Sequence, residues 1–253
     1  MGVSSAGISQ DEDWLTKGDE LYKLGQYEEA IECYDRVLEI VLDHKGNAIG
    51  KLGRYEEAIE CYDNVLEINP SVVEAWYSKG VVYGKIGRYD RAIKCYDHVL
   101  EIDPYVAAAW YNKGVALYMS GEYDEAIKCY HRTLEINPDY AKAWNNMGNA
   151  FGKLGRYDRA IECYGRLLEI NPNVVAAWNN KGISLRKLGR NDEAITCFKK
   201  SLKINPDYAK AWNNIGISLD ELGEHDEAIT CYNKAREIDP NITITPRKGA
   251  PDS

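Results

Sequence analysis

Apolar positions along this chain recur every three or four residues, the period of a helix with one buried side. On a helix turning about 100° per residue, with Trp76 at zero, Gly80 lies at about 40° and Tyr83 at about 340°, so the three share a face. Gly87 then interrupts the stripe, as a residue without a side chain does at a helix C-terminus. A second stripe runs through Ala92 and Tyr96 and ends at Pro104. The pattern predicts two antiparallel amphipathic helices of about three to four turns each, joined by a tight turn. Gly80 on the first and Ala92 on the second are expected to let the helices approach closely, while Trp76 and Tyr96 fill the space beside them.

This pair is one copy of a repeat. Pro70, Pro104, Pro138, Pro172, Pro206 and Pro240 stand 34 residues apart, and so do Trp76, Trp110, Trp144, Trp178 and Trp212, with Trp14 opening an earlier copy. Two glycine columns lie 4 and 11 residues after the tryptophan and use 14 of the 21 glycines. Seven alanines from Ala30 to Ala228 are each followed by Ile and, four residues on, by an aromatic from Tyr34 to Tyr232. Seven repeats follow, near 11–40, 41–72, 73–106, 107–140, 141–174, 175–208 and 209–242, with 1–10 and 243–253 expected to be disordered.

One irregularity breaks the period. Gly25 and Gly53 are 28 residues apart, so six residues are missing between the first two repeats, together with the proline turn. Leu38, Val41, Leu42, Ile49 and Leu52 keep helical spacing across the gap. Two readings stand: the helices on either side fuse and throw the first repeat onto another molecule, or a tight turn at residues 43–46 keeps the stack intact. At the other end, the residues after Pro240 offer little apolar surface to cover the last pair, a second route to self-association.

Charge and candidate chemistry narrow the function. The net charge is −9, which disfavours nucleic acid, but residues 141–208 carry 12 basic and 6 acidic groups and favour an acidic partner. No run is long and apolar enough for a membrane span, and the first ten residues lack the features of an export signal. The seven cysteines form a single column, Cys33 to Cys231, on the edge of the second stripe; they read as free thiols packed like small apolar residues, which implies a reducing, cytoplasmic setting. His44, His98, His131 and His225 fall in four different columns without metal-ligand spacing, and no nucleophile, base and orienter stand out from the repeat. Neither catalysis nor a cofactor or metal is expected.

The pattern of Trp76, Lys79, Gly80, Tyr83, Ala92, Tyr96 and Pro104, repeated over residues 11–242, resembles the tetratricopeptide repeat. The resemblance implies an all-α, right-handed superhelical solenoid of helix-turn-helix repeats that acts as a protein-protein interaction module or scaffold. The chain departs from the family in one column, where Lys17, Lys45, Lys79, Lys113 and Lys181 precede the first glycine; their stems are expected to pack and their ammonium groups to reach water.

Offsets −2, +1, +2, +5, +8 and +9 from the tryptophan form the free face of each first helix. In the family this face grips a peptide of a partner protein. The groove would begin with Tyr77, Tyr111 and Asn112 and continue as a ladder of Asn145, Asn146, Asn179, Asn180, Asn213 and Asn214, whose amides suit a peptide backbone or else satisfy neighbouring groups of the fold. Members that hold a C-terminal carboxylate use a clamp whose positions here carry Asn149, Asn180 and Lys210. Asn145 and Asn214 stand where the clamp calls for cations. Lys142, Lys153, Arg186 and Lys187 share that face. The alternative function is a self-assembling scaffold joined through its ends and its irregular first repeat.

Overall fold

The computed structural model describes residues 5–35 and 42–244, and among them are fourteen helices and no strand. They are α1 (Ser5–Lys23), α2 (Tyr27–Tyr34), α3 (Leu42–Lys51), α4 (Tyr55–Ile68), α5 (Val73–Lys85), α6 (Tyr89–Ile102), α7 (Ala107–Met119), α8 (Tyr123–Ile136), α9 (Ala141–Lys153), α10 (Tyr157–Ile170), α11 (Val175–Lys187), α12 (Asn191–Ile204), α13 (Ala209–Leu222) and α14 (His225–Ile238). Odd numbers are the first helices of repeats and even numbers the second. The chain divides into two compact units, Met1–Glu122 and Tyr123–Ser253, with the boundary between α7 and α8. In the first unit α1 to α7 stack in order, each on the next; in the second α8 to α14 do the same. The all-α solenoid class expected from the sequence is borne out within each unit.

Local chemistry explains the period. Gly87 has φ +75°, a left-handed conformation that costs other residues, and it lets Arg88 N–H donate to the Tyr83 carbonyl at 2.9 Å, closing the end of α5. Between repeats, Asn69 Oδ1 accepts from Ser71 N–H at 3.0 Å and holds the turn at Pro70. The Trp76 indole N–H then donates to the Pro70 carbonyl at 2.9 Å, and Trp110, Trp144, Trp178 and Trp212 do the same to Pro104, Pro138, Pro172 and Pro206. Tryptophan and proline share a period because they share a hydrogen bond.

The close approach differs in detail from the sequence expectation. The atoms nearest to Gly80 are those of the second helix's aromatic: a methyl group there would lie 2.8 Å from Cε1 of the Tyr96 ring. Glycine makes room for the aromatic of the second helix, and the alanine column is fully buried. The unusual lysines also have partners: Lys79 pairs with Asp63 on the preceding repeat, Lys113 with Asp97 and Lys45 with Asp35. Lys79 and Lys113 lie over the Trp76 and Trp110 rings as well, at 5.1 and 5.5 Å.

At the irregular junction, residues 36–41 lie outside the described residues, but the helices on either side settle the packing. The Tyr34 and His44 rings are 5.8 Å apart. Ten residues of one continuous helix would separate them by about 15 Å. Ala48 packs in the same cluster as Ala30 and Tyr34, so the first repeat stacks on the second within the chain and is not thrown outward by a fused helix. Helix α1 starts at Ser5, earlier than the repeat boundary placed at Asp11. Residues 1–4 and 245–253 lie outside the described residues, while Ile244 packs against the cluster around Leu219 and Tyr232.

Candidate functional site

In the first unit, the free face of the odd-numbered helices carries two pockets in series. One, of about 210 Å³, lies over α3 and α5, where Asn47, Tyr62, Tyr77 and Ser78 meet Lys51 and Lys85. The second, of about 340 Å³, lies over α5 and α7 and is mainly apolar, with Val81, Tyr96, Val115 and Met119 around Asn112. Tyr62 OH donates to Asn47 Oδ1 at 2.9 Å, and Asn112 Nδ2 donates to Tyr77 OH at 2.7 Å, so both pocket rims are fixed in place. The Tyr77 and Tyr96 ring centroids are 6.0 Å apart. Tyr111 is half-buried on the same face.

Glycine opens the second of these pockets. Gly50 lines the first pocket and Gly84 the second, and both stand 8 residues after the start of the repeat pattern, as does Gly152. A methyl group on Gly84 or Gly152 would meet nothing within 4 Å. Both stand in the last turn of their helix, where glycine still costs up to about 0.5–1 kcal/mol relative to alanine, and here neither packing nor a left-handed backbone requires it. These glycines, with Lys51, Lys85 and Met119, were missed by the sequence reading. The signal was present: after the two main columns are removed, three of the remaining glycines fall at one offset.

The second unit differs. The expected asparagine ladder is there, but it is bonded to itself. Asn214 Nδ2 donates to Asn179 Oδ1 at 3.0 Å, Asn179 Nδ2 to Asn180 Oδ1 at 3.4 Å, and Asn180 Nδ2 to Asn149 Oδ1 at 3.4 Å, where Tyr164 OH also donates at 2.8 Å. Asn179 and Asn214 are only 4% and 9% exposed, so they join α11 to α13 rather than face a groove. Asn145 donates to Asn146 at 3.2 Å, and both are half-buried, as are Asn149 and Asn180. Asn213 is half-buried too, with its Oδ1 shielded and lacking a hydrogen-bond partner among the described residues. Lys142 and Lys210 are exposed at the edge. Arg186 stands where Gly84 and Gly152 stand in their repeats, and its guanidinium donates to Glu221 at 3.0 Å, so its charge is already engaged.

Other chemistry is structural. The seven cysteines are free and buried. Burial pushes the Cys95 thiol from 9.0 up to about 11 and Cys163 up to about 12, away from the range in which a thiolate reacts. The unfolded chain ionises these thiols near 9.0 and the folded chain only at about 11 to 12, so their contribution to stability is intact below pH 9 and lost as pH rises toward 11 and beyond. We expect the urea midpoint to fall over that range, and to fall less in Cys95→Ala/Cys163→Ala; equal slopes would refute the assignment. Tyr232 OH donates to Asp220 at 2.7 Å while His225 Nδ1 lies 3.0 Å from the other oxygen, and burial, then this carboxylate, raises the tyrosine. Among the described residues no group of three or more His, Cys, Asp and Glu could hold a metal, and no helix is long and apolar enough to cross a membrane.

Comparison with known proteins agrees with this architecture. Family models described as tetratricopeptide repeat match residues 12–41, 73–105, 107–140 and 141–174, and also 173–241; one described as TPR repeat matches 46–87. Among solved structures, a crystal structure of MamA protein is 30% identical, covers 67% of this chain and 93% of its own, and gives a TM-score of 0.64. A second MamA structure is 32% identical over 65% of this chain and 96% of its own, with a TM-score of 0.63. YrrB, described as a TPR protein with an unusual peptide-binding site, is 24% identical over 72% of this chain and 94% of its own at a TM-score of 0.64, a likeness of fold alone. Comparison with curated proteins gives no match.

Proposed function

Because the chain belongs to the tetratricopeptide-repeat family, we propose that its interaction surface is the free face of the first unit, where it binds a peptide segment of a partner protein. Apolar side chains of the peptide enter the pockets floored by Gly50 and Gly84, and its carboxylates meet Lys51 and Lys85 on the rim. Both lysines are exposed, and neither lies against a carboxylate among the described residues. The observation that carries this reading is Gly84, a glycine in the last turn of α5 with open space where its side chain would be. In the second unit, Asn146, Asn180, Lys142 and Lys210 retain capacity for polar contacts; Asn179 and Asn214 are enclosed and are withdrawn from the contact set. A clamp for a C-terminal carboxylate draws no support, since Asn214 is spent within the fold.

Selection from a random linear peptide library, followed by calorimetric titration, tests the proposal. Enriched peptides should combine apolar or aromatic residues with acidic ones, and Lys85→Glu should weaken them by roughly tenfold, the loss of a charge-assisted contact replaced by repulsion. Enriched peptides that bind Lys85→Glu as well as the unmodified protein would overturn it.

Self-assembly through the ends has weaker support. The first repeat packs on its own chain. In the last repeat Arg236 occupies the column held by Leu66, Leu100, Leu134, Leu168 and Leu202, putting a charge where an apolar contact would be needed.

A further inference from the structure

A second pocket system lies on the opposite side of α13 from Asn213 and Ile217. Between α12 and α14, a cleft of about 520 Å³ is lined by Ile195, Leu202, Trp212, Ile215, Leu219 and Cys231. Lys199 and Lys203 form its α12 rim, and Glu227 and Thr230 its α14 rim.

Comparison between repeats shows how the lining of this cleft differs. At three junctions of the first unit the equivalent place is closed by an ion pair: Asp35 with Lys45, Asp63 with Lys79 and Asp97 with Lys113. At the α12–α13 junction both members of the pair have changed, aspartate to Lys199 and lysine to Ile215. Trp76 is covered by Lys79 and His98, and Trp178 by Lys181 and Lys200, but among the described residues Trp212 has neither a cation nor a ring over it. A neutral, closed junction has become an apolar floor with a cationic rim. Residues 194–219 contain four lysines and one acid, Asp207, so the α12 rim is cationic while Glu227 makes the α14 rim acidic.

We propose that this cleft is a second docking site, distinct from the peptide face of the first unit, and that it takes an acidic amphipathic helix of a partner protein. One apolar side chain of that helix lies against Trp212 and Ile215, and its carboxylates face Lys199 and Lys203. Glu227 on the other rim orients the helix by repelling its acidic side.

The probe is a fluorescein-labelled alanine-based helix of about fifteen residues with two leucines at i and i+4 flanked by glutamates, read by fluorescence anisotropy. The decisive variant is Lys199→Asp/Ile215→Lys, which rebuilds the pair formed by Asp63 and Lys79 and should keep the thermal midpoint. It should weaken the probe by roughly tenfold or more, the fold-change expected when one apolar side chain loses its buried site. Glu227→Gln should tighten binding. Undiminished binding to the rebuilt variant, or equal binding of a probe with lysines in place of glutamates, would overturn the proposal. So would a loss of binding in Gly84→Leu, which would locate the probe on the first unit. Concentration-dependent self-association abolished by the rebuilt variant in sedimentation equilibrium would make the occupant a second copy of this chain and overturn the assigned partner.

Discussion

Gly182→Ala will lower the unfolding free energy by about 2–3 kcal/mol, measured by urea denaturation, whereas Gly152→Ala will raise it by about 0.5–1 kcal/mol. Gly182 lies in the middle of α11 and Gly152 in the last turn of α9, both first helices of the second unit, and helix propensity favours alanine at each. They differ in what a methyl group would touch. At Gly182 it would sit 2.5 Å from Cε1 of Phe198 and 2.8 Å from Cδ1 and Cζ, and Phe198 is fully buried with no room to retreat. At Gly152 nothing lies within 4 Å. Overpacking therefore outweighs propensity at one position and is absent at the other. Two substitutions of the same sign would refute the division of glycines into packing and open classes.

Gly84→Leu will abolish measurable binding of the library-selected peptides, a loss of at least about a hundredfold, with no fall in the thermal midpoint. The leucine would project from α5 into the 340 Å³ pocket beside Val81, Val115 and Met119, the space assigned to a peptide side chain. No neighbour must move to admit its first carbon, and the helix gains a residue that favours it. Loss of affinity without loss of stability is a combination that damage to the fold cannot produce. Retained affinity would place the peptide elsewhere. The substitution also separates this face from the cleft beside Trp212, whose occupant should be indifferent to it.

The fold was legible because its determinants are local and repeated. Trp76 and Pro70 reappear together since one donates to the other, and Gly87 reappears because the end of α5 needs its conformation. The site was legible only in part. Angular position placed Tyr77, Asn112 and the asparagines on the right face, but it could not show that Asn179 and Asn214 would satisfy one another across two helices. Such pairing depends on the distance between repeats, which no single helix specifies. Gly84 was overlooked for the converse reason: its role lies in space left empty, and a pattern search registers what side chains fill. The missing six residues before the second repeat left two readings: a fused helix, because apolar spacing continues across them, or a tight turn at residues 43–46. The contact between Tyr34 and His44 requires the chain to double back, but residues 43–46 are helical within α3, so the reversal comes before them.

The bond from each indole to the proline carbonyl six residues before it gives the molecule a set of internal reporters. Emission from an indole depends on whether its N–H is donating within the protein or to water, so a chain keeping only one of these tryptophans would signal the opening of a single joint. Five such chains would reveal in which order the joints of each unit open, Trp76 and Trp110 reporting on the first and Trp144, Trp178 and Trp212 on the second.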